Sequence, residues 1–157
     1  MVYLVSKEVK NLVKKVAKTL DERTYIHKRL VLLCIMNGAF MFTADLVREL
    51  TMQVDMDFIH VHRGYGIGTP GRPTLLTAYT FKPYTSYILV DVVAEKGDTF
   101  EYVKSLIPKP AEVITCALIS KGVLYTPDIF GTRINTTRHL QGYGMGPRRE
   151  LPTVEGI

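Results

Sequence analysis

Residues 87–103, YILVDVVAEKGDTFEYV, gather Asp91, Glu95, Lys96, Gly97, Asp98 and Thr99 between an apolar run and an amphipathic one. A backbone that turns through 95–99 into a helix presents N–H groups, a partial positive charge and a hydroxyl, which together suit a phosphate dianion. Gly97 lets that backbone approach a ligand or adopt a positive φ. The alternative reading of the same residues is that Asp98 and Thr99 only cap the helix.

Such a turn needs elements to hold it. Residues 30–36, LVLLCIM, form a short continuous apolar run, as expected of a strand buried on both faces, and Asn37-Gly38 ends it. Phe40, Ala44, Val47 and Leu50 then follow a helical spacing over 39–50. YILVDVV followed by a helix over 98–107 repeats this strand–turn–helix unit. Further strands are expected at 56–62, 75–80 and 112–120. At the start, Ser6 reads as an N-cap for a surface helix to about Leu20, with Val9, Leu12, Val13 and Val16 along one stripe. Strands alternating with helices of this length imply an α/β fold, a mainly parallel sheet flanked by helices on both faces. In such a sheet ligands bind at the carboxyl ends of the strands, which is where the 95–99 turn falls.

A chain of 157 residues with 46% hydrophobic content supports one domain, expected to run over 1–157. No apolar run approaches the roughly 18 residues of a membrane span, so no membrane partner and a cytoplasmic location are expected. Cys34 and Cys116 lie inside apolar runs and read as small hydrophobes rather than a disulfide. The net charge of +5 favours an anionic partner without distinguishing nucleic acid from a small phosphorylated molecule.

In order and spacing, VLLCIMNGAFMFTADLVREL, VDMDFIHVHRGYGIGT, YILVDVVAEKGDTF, ALISKG and GYG with RRELP resemble the successive motifs of hypoxanthine-guanine phosphoribosyltransferases. The resemblance runs over nearly the whole chain. It implies the type I phosphoribosyltransferase fold, with a small hood built from the N- and C-terminal segments. It also implies transfer of the phosphoribosyl group of phosphoribosyl pyrophosphate to a 6-oxopurine, with Mg²⁺, by a homodimer or homotetramer that has no nucleic-acid partner.

The resemblance also assigns roles. Lys96, Gly97, Asp98 and Thr99 would hold the 5-phosphate. Asp91 would bind the ribose hydroxyls and help to hold Mg²⁺, while Val92 stands where the family has a second acid. Glu95 occupies the place of an Asp near the purine N7 and becomes the proton-transfer residue, one methylene longer. Lys121 would donate to the 6-oxo group and so select against adenine. His139 takes the position of an aromatic ring that stacks on the base, and Leu140 would offer its backbone to the base. Asn37 and Gly38 stand in a pyrophosphate loop that the family usually builds as Leu-Lys-Gly, often with a non-proline cis peptide, and Asn37 removes the usual positive charge. Arg149 would also reach pyrophosphate, in a segment that has Gly146 where the family has a metal-binding aspartate. Gly64 and Tyr65 open a Gly- and Pro-rich stretch that matches a mobile loop closing over the reacting centre.

Read without the resemblance, Glu95 is an exposed carboxylate, Lys121 a solvated residue at a strand end, and His139 a loop histidine. Two other functions stay open. The departures at Asn37, Val92, Lys96 and Gly146, with the basic charge, fit a non-enzymatic nucleotide-sensing or RNA-binding regulator on the same fold. His139 and the shortened C-terminal segment alter the pocket that would read the purine and fit a transferase for a different base. A Rossmann-type dinucleotide site is disfavoured, because RGYGIGTPG does not join a strand to a helix as that fingerprint requires.

Overall fold

The computed structural model describes residues 1–63 and 71–157, apart from the side chain of Arg63. Gly64 and Tyr65, assigned above to a mobile loop, lie outside the described residues.

The main sheet is built from β2 (Arg29–Met36), β3 (Asp55–Arg63), β4 (Pro73–Leu75), β5 (Thr85–Ala94), β6 (Glu112–Lys121) and β7 (Ile129–Ile134), in the order β4-β3-β2-β5-β6-β7. All its pairings are parallel except the antiparallel β3–β4 pair at one edge. Both faces are covered, which is why β2 and β5 read as continuous apolar runs. Leu32, Ile88, Val90 and Leu118 pack in one core with α1 (Ser6–Glu22) and α2 (Phe40–Glu49). Val31, Leu33, Leu89 and Ala117, offset by one residue, pack in a second core with Phe100 and Val103 of α3 (Asp98–Leu106). The period-two geometry of a strand divides the side chains in this way. Cys34 and Cys116 are buried free thiols in these strands.

The expected hood is present as a small antiparallel sheet in the order β1 (Val2–Leu4), β9 (Val154–Gly156), β8 (Leu140–Gln141). The Tyr143 hydroxyl ties it to α2 by donating to Asp45 Oδ2 at 2.5 Å. Burial, with this bond adding to it, pushes the Tyr143 phenol well above the usual tyrosine range. Gly144, at φ 91°, backs onto the Gly38 carbonyl, 2.6 Å from where a Cβ would sit. Any side chain there would drive the hood away from the loop that follows β2.

Two local expectations are corrected. Ser6 is the first residue of α1 rather than its cap; Val5 holds the cap position, and its N–H donates to Glu8 Oε2 at 2.8 Å. The reach of Glu8 back to that amide fixes the start one residue early. The strand expected at 75–80 stops at Leu75. Leu76 is exposed, and the chain beyond it uses aromatic rings instead of a ladder: Tyr79 donates to Asp57 Oδ2 at 2.7 Å, and Phe81 packs edge-on to Tyr87. Among the described residues, no helix is long and apolar enough to cross a membrane.

Candidate active site

The parallel strands β2, β3, β5 and β6 deliver their carboxyl ends to one edge of the sheet, and a cleft of about 610 Å³ opens there. Its walls include Asn37 and Gly38 after β2, Asp91 near the end of β5, and the whole turn from Glu95 to Thr99. His139 closes it from the hood side. A smaller cavity of about 190 Å³ shares Asp91, Glu95 and His139 with this cleft and adds Lys121, Leu140, Val92 and Met145.

The turn after β5 is held by packing. Gly97 is the N-cap of α3 at φ 79° and ψ 4°, a left-handed conformation, and its carbonyl accepts the Glu101 N–H at 2.9 Å. A Cβ on Gly97 would run into the ring of Tyr125, which stacks on Phe100 at 6.0 Å between centroids. Burial raises the Tyr125 phenol above its ordinary pKa. The cap is therefore a residue without a side chain, and Asp98 and Thr99 are the first two residues of the helix. The backbone at the positive end of the α3 dipole lines the cleft directly.

Lys121, at the end of β6, is only 5% exposed, and its Nζ lies 3.2 Å from Glu95 Oε2. A buried ammonium requires an acceptor, and Glu95, on the neighbouring turn and half exposed, supplies one. The pair sets a donor and an acceptor side by side in the smaller cavity. Asp91 accepts the Val92 N–H at 2.7 Å through Oδ1. Val92 is buried in the α1/α2 core, and its Cγ1 lies 3.6 Å from where a Cβ on Gly38 would sit. At the position where the family pattern has a second acid, Val92 thus makes an apolar contact to the loop. On β2, burial pushes the Cys34 thiol up, and the Asp91 charge adds to the shift.

The peptide between Met36 and Asn37 is cis. Arg149 does not line the main cleft. Its Nε donates to the Gly146 carbonyl at 3.1 Å, and it borders a separate cavity of about 370 Å³ shared with Asn37 and Gly144. Sequence reasoning missed His60 and His62, which also line the main cleft. Their alternation in FIHVH at the end of a strand that points into the crevice was the available signal.

Among the described residues, no group of three His, Cys, Asp or Glu side chains comes together as a metal site. One cleft carboxylate, Asp91, does fit Mg²⁺ in the manner in which that ion commonly binds, through one or two carboxylates with substrate phosphates supplying other ligands.

The model of the phosphoribosyl transferase domain matches residues 3–142 of this chain. The chain belongs to that family. Within it, the hypoxanthine-guanine phosphoribosyltransferase of Aquifex aeolicus is 28% identical over 96% of this chain and 90% of its own length. A solved hypoxanthine phosphoribosyltransferase from Staphylococcus aureus shares the fold with a TM-score of 0.86 at 20% identity, covering all of this chain and 90% of that one. A hypoxanthine-guanine phosphoribosyltransferase from Bacillus anthracis, solved with a HEPES molecule in its active site, gives 0.84 at 26% identity over all of this chain and 98% of that one. The type I phosphoribosyltransferase fold expected from the sequence is the one observed.

Proposed function

We propose that the protein transfers the phosphoribosyl group of phosphoribosyl pyrophosphate to N9 of a 6-oxopurine, hypoxanthine or guanine, as a purine-salvage enzyme. The observation that carries this reading is the Lys121–Glu95 pair at 3.2 Å. The O6 and N7 positions of a 6-oxopurine lie next to each other on one edge of the base. An ammonium beside a carboxylate complements that edge when N7 carries a proton, the ammonium donating to O6 and the carboxylate accepting from N7–H. His139 then supplies an imidazole face to the base, and Leu140 its backbone.

In the reaction, the N9 lone pair forms the bond to ribose C1 as the C1–oxygen bond to diphosphate breaks. The diphosphate leaves with the electron pair, and Glu95 takes the proton from N7. The turn of Lys96, Gly97, Asp98 and Thr99 holds the 5-phosphate, and Asp91 holds the ribose hydroxyls. Asn37 and Gly38 receive the diphosphate, and Arg149, which borders the adjoining cavity that Asn37 also lines, reaches it only by leaving the Gly146 carbonyl. Asp91 would hold Mg²⁺, which supplies neutralising charge to the diphosphate. Positioning and charge stabilisation do most of the catalytic work at a centre that becomes cation-like. The same proposal takes residues 1–157 as one catalytic domain in the cytoplasm. It also includes a homodimer or homotetramer, supported by Met56 and Phe58, exposed side by side on one face of β3.

Lys121→Ala tests the reading. The wild-type chain is expected to use hypoxanthine or guanine and refuse adenine. The variant is expected to lose about 1.5 to 3 kcal/mol of transition-state stabilisation with 6-oxopurines, the worth of a hydrogen bond to a charged group. Initial rates with a panel of bases measure both, and an unchanged base profile in Lys121→Ala would remove Lys121 from the base site.

A further inference from the structure

The described lining of the main cleft carries the carboxylates of Asp91, Glu95 and Asp98 against the single ammonium of Lys96. Even with Glu95 paired to Lys121 and with the Mg²⁺ proposed above, a substrate that brings a phosphate at one end of its ribose and a diphosphate at the other calls for further hydrogen-bond donors. Three of the chain's four histidines, His60, His62 and His139, line this cleft.

Of these, His60 is the best placed. The β2–β3 register sets it opposite Met36, beside the strand end from which Asn37 emerges. Its Nε2 lies 3.4 Å from Asn37 Nδ2, so imidazole and amide form one polar unit facing the cleft. β3 and β5 flank β2 on opposite sides. This unit and the phosphate turn after β5 therefore belong to strands about 10 Å apart, at roughly 4.8 Å per strand. A ribose carrying anions at both ends matches two anion-receiving groups separated across a strand.

We propose that His60, joined to Asn37, is a diphosphate-binding residue of the cleft: its Nε2 accepts from the Asn37 amide, which leaves the Nδ1–H to donate to the diphosphate. This rests on the transferase reading above and adds a residue to it.

Binding of two ligands separates this role from a structural one. Isothermal titration of the full chain with magnesium pyrophosphate and, separately, with guanosine 5′-monophosphate is carried out on wild type, His60→Ala and His60→Lys. His60→Ala is expected to weaken pyrophosphate binding about tenfold or more, the scale of one charged hydrogen bond. Its affinity for the monophosphate should stay within about twofold, and His60→Lys should recover most of the pyrophosphate affinity. Equal losses for both ligands without recovery in His60→Lys, or unchanged pyrophosphate binding in His60→Ala, would overturn the assignment of His60 alone. A wild-type chain that binds neither ligand would overturn the transferase reading beneath it and this role with it.

Discussion

Glu95→Gln is expected to keep nucleoside monophosphate affinity and to slow the chemical step by about 10² to 10⁴, the usual worth of a positioned acid or base. The substitution keeps the length of the side chain and an oxygen able to accept from Lys121 Nζ, now 3.2 Å away, so the local packing survives. What it removes is the ability to take a proton from N7. The effect should fall toward the lower end, because Glu95 is one methylene longer than the aspartate it replaces in the family pattern and must fold back to reach the same point. Half of its side chain is exposed, which also leaves water as a partial substitute. Asp91→Asn provides the contrast, raising the concentrations of phosphoribosyl pyrophosphate and Mg²⁺ needed for turnover. Single-turnover rates and nucleotide dissociation constants measure both variants. Wild-type chemistry in Glu95→Gln would leave Glu95 as the partner of Lys121 and nothing more.

Gly97→Ala should damage both stability and phosphate binding. Its φ of 79° costs an alanine on the order of 1 to 3 kcal/mol of strain, and the new Cβ meets the Tyr125 ring. Each kcal/mol lost should lower the melting temperature by roughly 2 to 4 °C for a chain of this size. The turn should also shift away from the 5-phosphate, so monophosphate binding falls with stability. Tyr125→Ala relieves the collision but not the φ, so the double variant should be less unstable than the two single losses added together. Thermal melts of the three variants read this coupling directly, and simple additivity would show that Tyr125 does not press on the turn.

The central strands and the phosphate turn were legible in the sequence because β2, β5 and β6 are buried on both faces and end at polar or glycine-containing turns. Burial of that kind leaves a local signature. The three strands of the hood, two or three residues each, are too short to leave one, and β1 pairs with β9 from the other end of the chain. The hood was anticipated through the family resemblance alone. β7 passed unnoticed for a similar reason: Gly131 interrupts a six-residue strand whose ladder depends on β6. At 75–80 the apolar and hydroxyl alternation looked strand-like, but those residues cover the β3 and β5 face with Tyr79 and Phe81. In the site, residue types identified Glu95 and Lys121 separately. Their pairing arises from the β5–β6 register, which aligns Ala94 with Ser120 and so brings the next residue of each chain segment together. Arg149 shows the opposite case, a residue matched by motif whose side chain turns to the Gly146 carbonyl and borders a different cavity.

The most direct test is nucleotide formation by the purified chain from phosphoribosyl pyrophosphate, Mg²⁺ and each of hypoxanthine, guanine, xanthine, adenine and uracil, with pyrophosphate release followed in parallel. Hypoxanthine or guanine should yield the corresponding 5′-monophosphate with one pyrophosphate released per nucleotide, and adenine and uracil should yield none. Tight binding of nucleotide without turnover of any base would contradict the enzyme and favour a nucleotide-sensing protein on the same fold.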